Sequence, residues 1–139
     1  MENAVAVIGS ANMDIGGYPS EPLSAGDSNP GRVRMSIGGV GCNIARNLAQ
    51  LSVPVRFVTA LGGDVYARDI ERALAGAGID LSLSLRLPNE RTSTYLFITD
   101  ERGDMAVAVN DMSCLLYTSH PTMYHQNQFY ALLSYCRRC

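Results

Sequence analysis

The chain has 139 residues, 47% of them hydrophobic, enough to bury one core and too apolar for a disordered chain. A net charge of −2 with arginines scattered through the body gives no basic field, so nucleic acid is not expected as a partner. No apolar run reaches membrane-spanning length and Met1-Glu2-Asn3 lacks the basic start of a signal peptide, so no membrane partner is expected and the expected address is the cytoplasm.

The first element is the β-branched run of residues 5–9, which stops at Gly9-Ser10 and reads as a buried strand ending at the rim of a parallel sheet. Open α/β folds place ligands at that rim, and Asn12 and Asp14 follow there. Residues 16–37 mix turn residues, including Asp27, Ser28 and Asn29, with a short stretch at 32–37. The period of two in that stretch puts Val33, Met35 and Ile37 on one face, so a small strand pair is expected to project from the main sheet. Gly38-Gly39-Val40-Gly41 then precedes a helix over 41–51 with Ile44, Leu48 and Leu51 on one side. Glycines there let backbone approach a ligand where the helix offers free N–H groups. The Asn43 amide can donate to and accept from hydroxyls, which suits a sugar better than a bare phosphate.

Residues 55–59 form the next strand, bounded by Pro54 and by Gly62-Gly63. Asp64 is placed to cap a helix through about residue 77 that buries Ile70, Leu74 and Ala77 and stops at Gly78. Capping is preferred to a catalytic role for Asp64. The strand-helix-strand-helix rhythm implies an α/β fold with a doubly wound parallel sheet. Residues 81–87 read as another strand, and residues 93–99 and 104–110 as a hairpin joined by Asp100-Glu101-Arg102-Gly103. Tyr95, Phe97, Met105, Val107 and Val109 are expected to give that hairpin one apolar side.

Gly9-Ser10-Ala11-Asn12-Met13-Asp14, Asp27-Ser28-Asn29-Pro30-Gly31, Gly38-Gly39-Val40-Gly41-Cys42-Asn43 and Asn110-Asp111-Met112 together resemble the ribokinase-like (PfkB) family of carbohydrate and nucleoside kinases. The resemblance runs over residues 5–112. It implies the N-terminal part of a ribokinase-like doubly wound parallel sheet, truncated, with a small β lid from residues 17–37 and 93–110. It also implies ATP-dependent phosphorylation of the 5-hydroxyl of a ribosyl compound, pseudouridine being the acceptor it points to most. In that family Asn12, Asp14, Gly38, Gly39 and Asn43 would hold the ribose, Asp14 accepting from its hydroxyls. Asp27, Asn29, Thr94 and Asn110 would lie at or near the lid as further acceptor contacts.

Full-length members of such a family would use ATP and Mg²⁺ and pair as homodimers through the lid. Their catalytic base is the Asp of a Gly-Ala-Gly-Asp motif opening a late helix, and this sequence has no such motif. Ala75-Gly76-Ala77-Gly78-Ile79-Asp80 closes a helix instead of opening one, so no catalytic residue and no metal site is assigned. This chain is therefore expected to bind neither ATP nor Mg²⁺ well and to be an inactive sugar- or nucleoside-binding piece of such a kinase. Another PfkB-type sugar kinase is the alternative. A dinucleotide-binding oxidoreductase would need Gly-x-Gly-x-x-Gly straight after the first strand, where Gly9 is followed by Ser10-Ala11-Asn12.

Residues 113–139 differ in character. They contain no Gly, Asp or Glu, yet hold both histidines, three of the four cysteines and four of the seven tyrosines. They read as a tail foreign to the gene, since Cys114-Leu115-Leu116-Tyr117-Thr118-Ser119 is what one frame of a transposon mosaic end encodes. With Cys42 alone in the body, no disulfide framework is expected, and Cys136 and Cys139 read as stray thiols.

Overall fold

A computed structural model describes residues 4–112; the reading of 113–139 as a foreign tail lies outside them. The elements run β1 (Val5–Ile8), β2 (Asn12–Pro19), β3 (Gly31–Gly38), α1 (Val40–Gln50), β4 (Val55–Val58), β5 (Ala60–Gly62), α2 (Val65–Gly76), β6 (Leu85–Leu87), β7 (Thr94–Thr99) and β8 (Met105–Asp111). In the core layer β1 runs parallel to β4, Val5 opposite Val55 and Ile8 opposite Val58. β5 runs parallel to β6, and a parallel bridge joins Arg56 to Asp80. The second layer is a four-stranded sheet in the order β3-β2-β7-β8, antiparallel at both outer pairs and parallel between β2 and β7.

Val7 of β1 and the Val55 and Phe57 positions of β4 form one buried cluster with Leu61 and with the inner faces of the helices, whereas Val5 and Ala6 are exposed, so β1 is not the wholly buried strand expected. α1 turns Cys42 and Ala45 inward and α2 turns Ala67, Ile70 and Leu74 inward. Each fully buried side chain the size of Phe57 or Ile70 contributes about 1.5–3 kcal/mol relative to exposure, which fixes both helices against the parallel strands. Arg56 and Asp80 add a pair at 3.0 Å. Hydrogen bonds from Ser82, then the Arg56 guanidinium, hold the Asp80 carboxyl down at about 2.

Both helices differ in part from expectation: α1 leaves Ile44 and Leu51 exposed because its small residues Gly41, Cys42 and Ala45 are the ones that pack closely on the strands, and Ala77 lies beyond the end of α2 and is exposed. Two strands differ as well. β2 covers residues with poor strand propensity, Gly16, Gly17 and Pro19, because it is paired with β3 along its whole length and with β7 over Met13–Gly17. The strand expected over 81–87 shrinks to β6. The Ser84 hydroxyl donates to the Phe57 carbonyl at 2.9 Å, and the Ser82 amide donates to Asp80 Oδ1 at 2.8 Å. These side-chain bonds, one local and one to β4, take the place of a backbone ladder over residues 81–84.

Asp64 caps α2 as expected, accepting from the Ala67 amide at 3.0 Å. It also accepts from the Thr92 amide at 2.8 Å and the Thr92 hydroxyl at 2.6 Å, so one carboxylate ties the helix start to the entry of β7. Burial pushes its pKa up, but the Thr92 hydroxyl and the Ala67 and Thr92 amides outweigh that and hold it below the ordinary value. Asp64→Ala removes a cap and orphans the amide of buried Thr92, an expected loss of about 2–4 kcal/mol in urea unfolding. The wild-type contribution is present above the ordinary carboxylate pKa and is lost as pH falls through the lowered folded value. The variant's stability curve should therefore lack that acid limb.

Candidate functional site

β1 ends at Ile8, and the chain crosses Gly9-Ser10-Ala11 to enter β2 at Asn12. Asn12 is buried and registers with Gly38; its side-chain amide donates to the Asp14 carboxylate. Asp14 registers with Ser36 on β3 and with Tyr95 on β7. Because paired residues share a face and alternate residues swap faces, Asn12, Asp14, Gly16 and Tyr18 lie on one side of the sheet. Ser36, Gly38, Tyr95, Phe97 and Asn110 lie on that side with them.

The glycines are there because nothing larger fits. A Cβ on Gly38 would run into the Asp14 carboxylate. Gly39 has φ of 99°, and a Cβ on it would lie 2.5 Å from the Ser10 carbonyl oxygen and 2.9 Å from Asn12 Oδ1. α1 begins straight after it with no side-chain cap. Its Cys42 amide donates outward to the Ser10 carbonyl at 3.1 Å, and the Asn43 amide returns to Gly39 at 2.9 Å. The start of α1, the β1–β2 crossing and the base of the β2–β3 hairpin thus meet at one point, with exposed Asn43 one helical turn from Gly39.

Burial raises the pKa of Asp14, partly offset by the Asn12 hydrogen bond. A carboxylate kept short of solvent in this way gains from hydroxyl donors brought by a ligand. Burial likewise raises the Cys42 thiol; Arg46 opposes and Asp14 reinforces that shift. Cys42 is fully buried and packs in the core cluster.

The model of the pfkB family of carbohydrate kinases matches residues 2–134. The chain belongs to that family. It is 43% identical over 109 residues to a pseudouridine kinase of Escherichia coli K12, covering 78% of this chain and 35% of that one. It is 31% identical over 108 residues to a guanosine-inosine kinase of Exiguobacterium acetylicum, covering 78% and 36%. The solved structure of Arabidopsis thaliana ribokinase complexed with ribose and ATP matches with a TM-score of 0.70 at 28% identity, covering 80% of this chain and 36% of that one. The chain thus spans about a third of the length of the curated relatives it matches. The neighbours confirm the ribokinase-like α/β fold, and the family is one of phosphotransferases.

Not every residue expected at a PfkB acceptor site reaches this junction. Asp27 and Asn29 sit in the turn beyond Pro19 and Gly31, at the far end of strands that are roughly 23 Å long. There Asn29 accepts from the Ser24 amide at 2.7 Å and donates to the Ser24 and Asp27 carbonyls at 3.0 Å, so its side chain shapes the turn. Thr94 registers with Met13 and therefore faces the other side of the sheet, where its hydroxyl donates to the Thr92 carbonyl at 3.1 Å. The residue beside Asp14 is Tyr95, which was not expected at the site. The hairpin's apolar residues also divide: Tyr95 and Phe97 share the Asp14 face, whereas Val107 and Val109 pair with Ile98 and Leu96 on the other. Among the described residues no three His, Cys, Asp or Glu side chains gather as a group that could hold a metal ion. Among them, too, no helix is long and apolar enough to cross a membrane.

Proposed function

We propose that this chain carries the acceptor-binding part of an ATP-dependent kinase that phosphorylates the 5-hydroxyl of a ribosyl compound, with pseudouridine as the acceptor. The observation that carries the reading is the meeting of Asn12, Asp14, Gly38 and Gly39 at the start of α1, with a part-desolvated carboxylate open to hydroxyl donors. In this reading Asp14 accepts from two ribose hydroxyls, Asn12 holds the Asp14 carboxylate, and Asn43 adds an amide from the helix. The pseudouridine kinase and guanosine-inosine kinase relatives support a ribosyl acceptor over a hexose.

ATP and Mg²⁺ serve the full-length enzyme, in the cytoplasm. The 139 residues contain no Gly-Ala-Gly-Asp base, so they bind the acceptor without turning it over. In the same reading the apolar side of the lid sheet, where Val33, Met35, Leu96, Val107 and Val109 are exposed, pairs with a second copy. The test is thermal unfolding of the 139-residue chain with D-ribose, pseudouridine, ATP or NAD. A ligand at a hundred times its Kd stabilises by about 2.7 kcal/mol, so an upward shift with the ribosyl ligands and none with NAD is expected. A shift with NAD alone, or none with any ribosyl compound, overturns the reading.

A further inference from the structure

The far half of the lid sheet carries two positive charges that the acceptor reading leaves unused. Arg32 and Arg34 alternate along β3, registered with Tyr18 and Gly16, so both stand on the Asp14 side of the sheet with Cα atoms roughly 6.6 Å apart. They line a hollow of about 360 Å³ together with Tyr18, Pro19 and Ser20, and no carboxylate lines it. Among the described residues the ion pairs are made by Arg56, Arg72 and Arg86, and neither Arg32 nor Arg34 has an acid within pairing distance. Glu21 and Asp27 are the acids of the adjoining turn; both are exposed, and Asp27 turns its carboxylate to the Ser28 amide at 2.7 Å. Asp14 lies four residues along β2 from Tyr18, roughly 13 Å, which exceeds the screening length of about 8 Å at physiological salt.

One of the two guanidinium groups is held in place. The Tyr18 ring packs over Gly16, where a Cβ would lie 2.8 Å from its hydroxyl, and it meets Phe97 edge-on at 5.9 Å. Arg34 lies on this fixed ring, its guanidinium carbon 5.4 Å from the ring centroid. A guanidinium stacked on an aromatic face keeps the N–H groups at its edge free to donate. Edge strands carry charge to discourage pairing with other chains, but that task asks only for charge in solvent. It does not ask for a cation seated on a ring, beside a like charge and a hollow. Like charges that share a face repel, and an anion between them removes that repulsion.

We infer that Arg32 and Arg34 form a site for a phosphate group, separate from the acceptor site. A carboxylate is saturated by one guanidinium fork, whereas a phosphate has oxygens enough for both forks, and the Ser20 hydroxyl adds a neutral donor. Inorganic phosphate and a phosphate monoester present the same group, and the hollow is open to either.

Calorimetric titration of the 139-residue chain with sodium phosphate and with glycerol 3-phosphate, at constant ionic strength in chloride, tests the site in wild type, Arg32→Gln, Arg34→Gln and Arg68→Gln. Saturable binding of one phosphate group per chain is expected. Arg32→Gln and Arg34→Gln each lose a charge-assisted contact and bind at least about tenfold more weakly. Arg68→Gln removes the same charge from the exposed side of α2 and should bind as wild type does. Tighter binding of glycerol 3-phosphate assigns the site to a monoester; binding of inorganic phosphate at least as tight assigns it to the free ion. D-ribose in excess should leave the phosphate affinity unchanged. No saturable binding of either probe, an equal loss in Arg68→Gln, or competition by D-ribose overturns the site.

Discussion

Asp14→Asn is expected to abolish ribosyl binding and, at neutral pH, to raise the melting temperature of the chain. Hydrogen bonds to a charged acceptor are worth about 1.5–3 kcal/mol each, so losing two such bonds to hydroxyls costs at least about a hundredfold in affinity. The gain in stability has a separate cause. Burial raises the Asp14 pKa in the folded chain above its unfolded value, so the folded state holds the proton more tightly than the unfolded state does. Stability therefore falls as pH rises from the ordinary carboxylate value through the raised folded one, and the penalty is complete above it. An amide of the same shape carries no such penalty and still accepts a bond from the Asn12 side chain through its oxygen. Melting curves from acid to neutral pH should show the two proteins diverging upward in pH, with the variant the more stable. Calorimetry with D-ribose should show its binding gone. A variant that melts lower at neutral pH, or that binds ribose as wild type does, removes Asp14 from the role given to it.

That opposition of stability and binding was legible only in part from sequence. The glycine run at 38–41 and the Asn12-x-Asp14 pair could be read because their meaning is local: a helix start without a cap, and polar residues just past the end of an apolar strand. The α2 cap at Asp64 was legible for the same reason. What could not be read depended on partners distant in sequence. β2 is a strand because β3 and β7 flank it, which outweighs the propensity of Gly16-Gly17. Thr94 and Tyr95 are neighbours, and only the register with Met13 and Asp14 decides which one shares the Asp14 face. A slip of one residue would exchange them. Asp27 and Asn29 carried ligand-like chemistry, but hairpin length separates them from Asp14, and length emerges only once both strands are known. Gly16 looked like turn punctuation; it is a mid-strand glycine beside two rings.

The two glycines before α1 should respond to alanine in different ways, although they are adjacent. At Gly38 the added methyl meets the Asp14 carboxylate, the movable end of a side chain, and the backbone φ is not positive. The carboxylate swings aside, so Gly38→Ala is expected to cost less than about 1 kcal/mol of stability and more than about tenfold in ribose affinity. At Gly39 the methyl meets the Ser10 carbonyl, which belongs to the crossing between β1 and β2, and φ of 99° disfavours any side chain. Neither can move without parting α1 from the strand ends, and the Cys42 to Ser10 hydrogen bond would go with them. Gly39→Ala is therefore expected to lose about 3 kcal/mol or more in urea unfolding, together with binding. The pair separates two ideas that a single variant would confuse. Loss of affinity in stable Gly38→Ala reports on the carboxylate as the group that holds the sugar, whereas the stability gap between the variants reports on the joint that positions it. Equal midpoints would mean that α1 does not lean on the β1–β2 crossing, and unchanged ribose affinity in Gly38→Ala would mean that the sugar is held elsewhere.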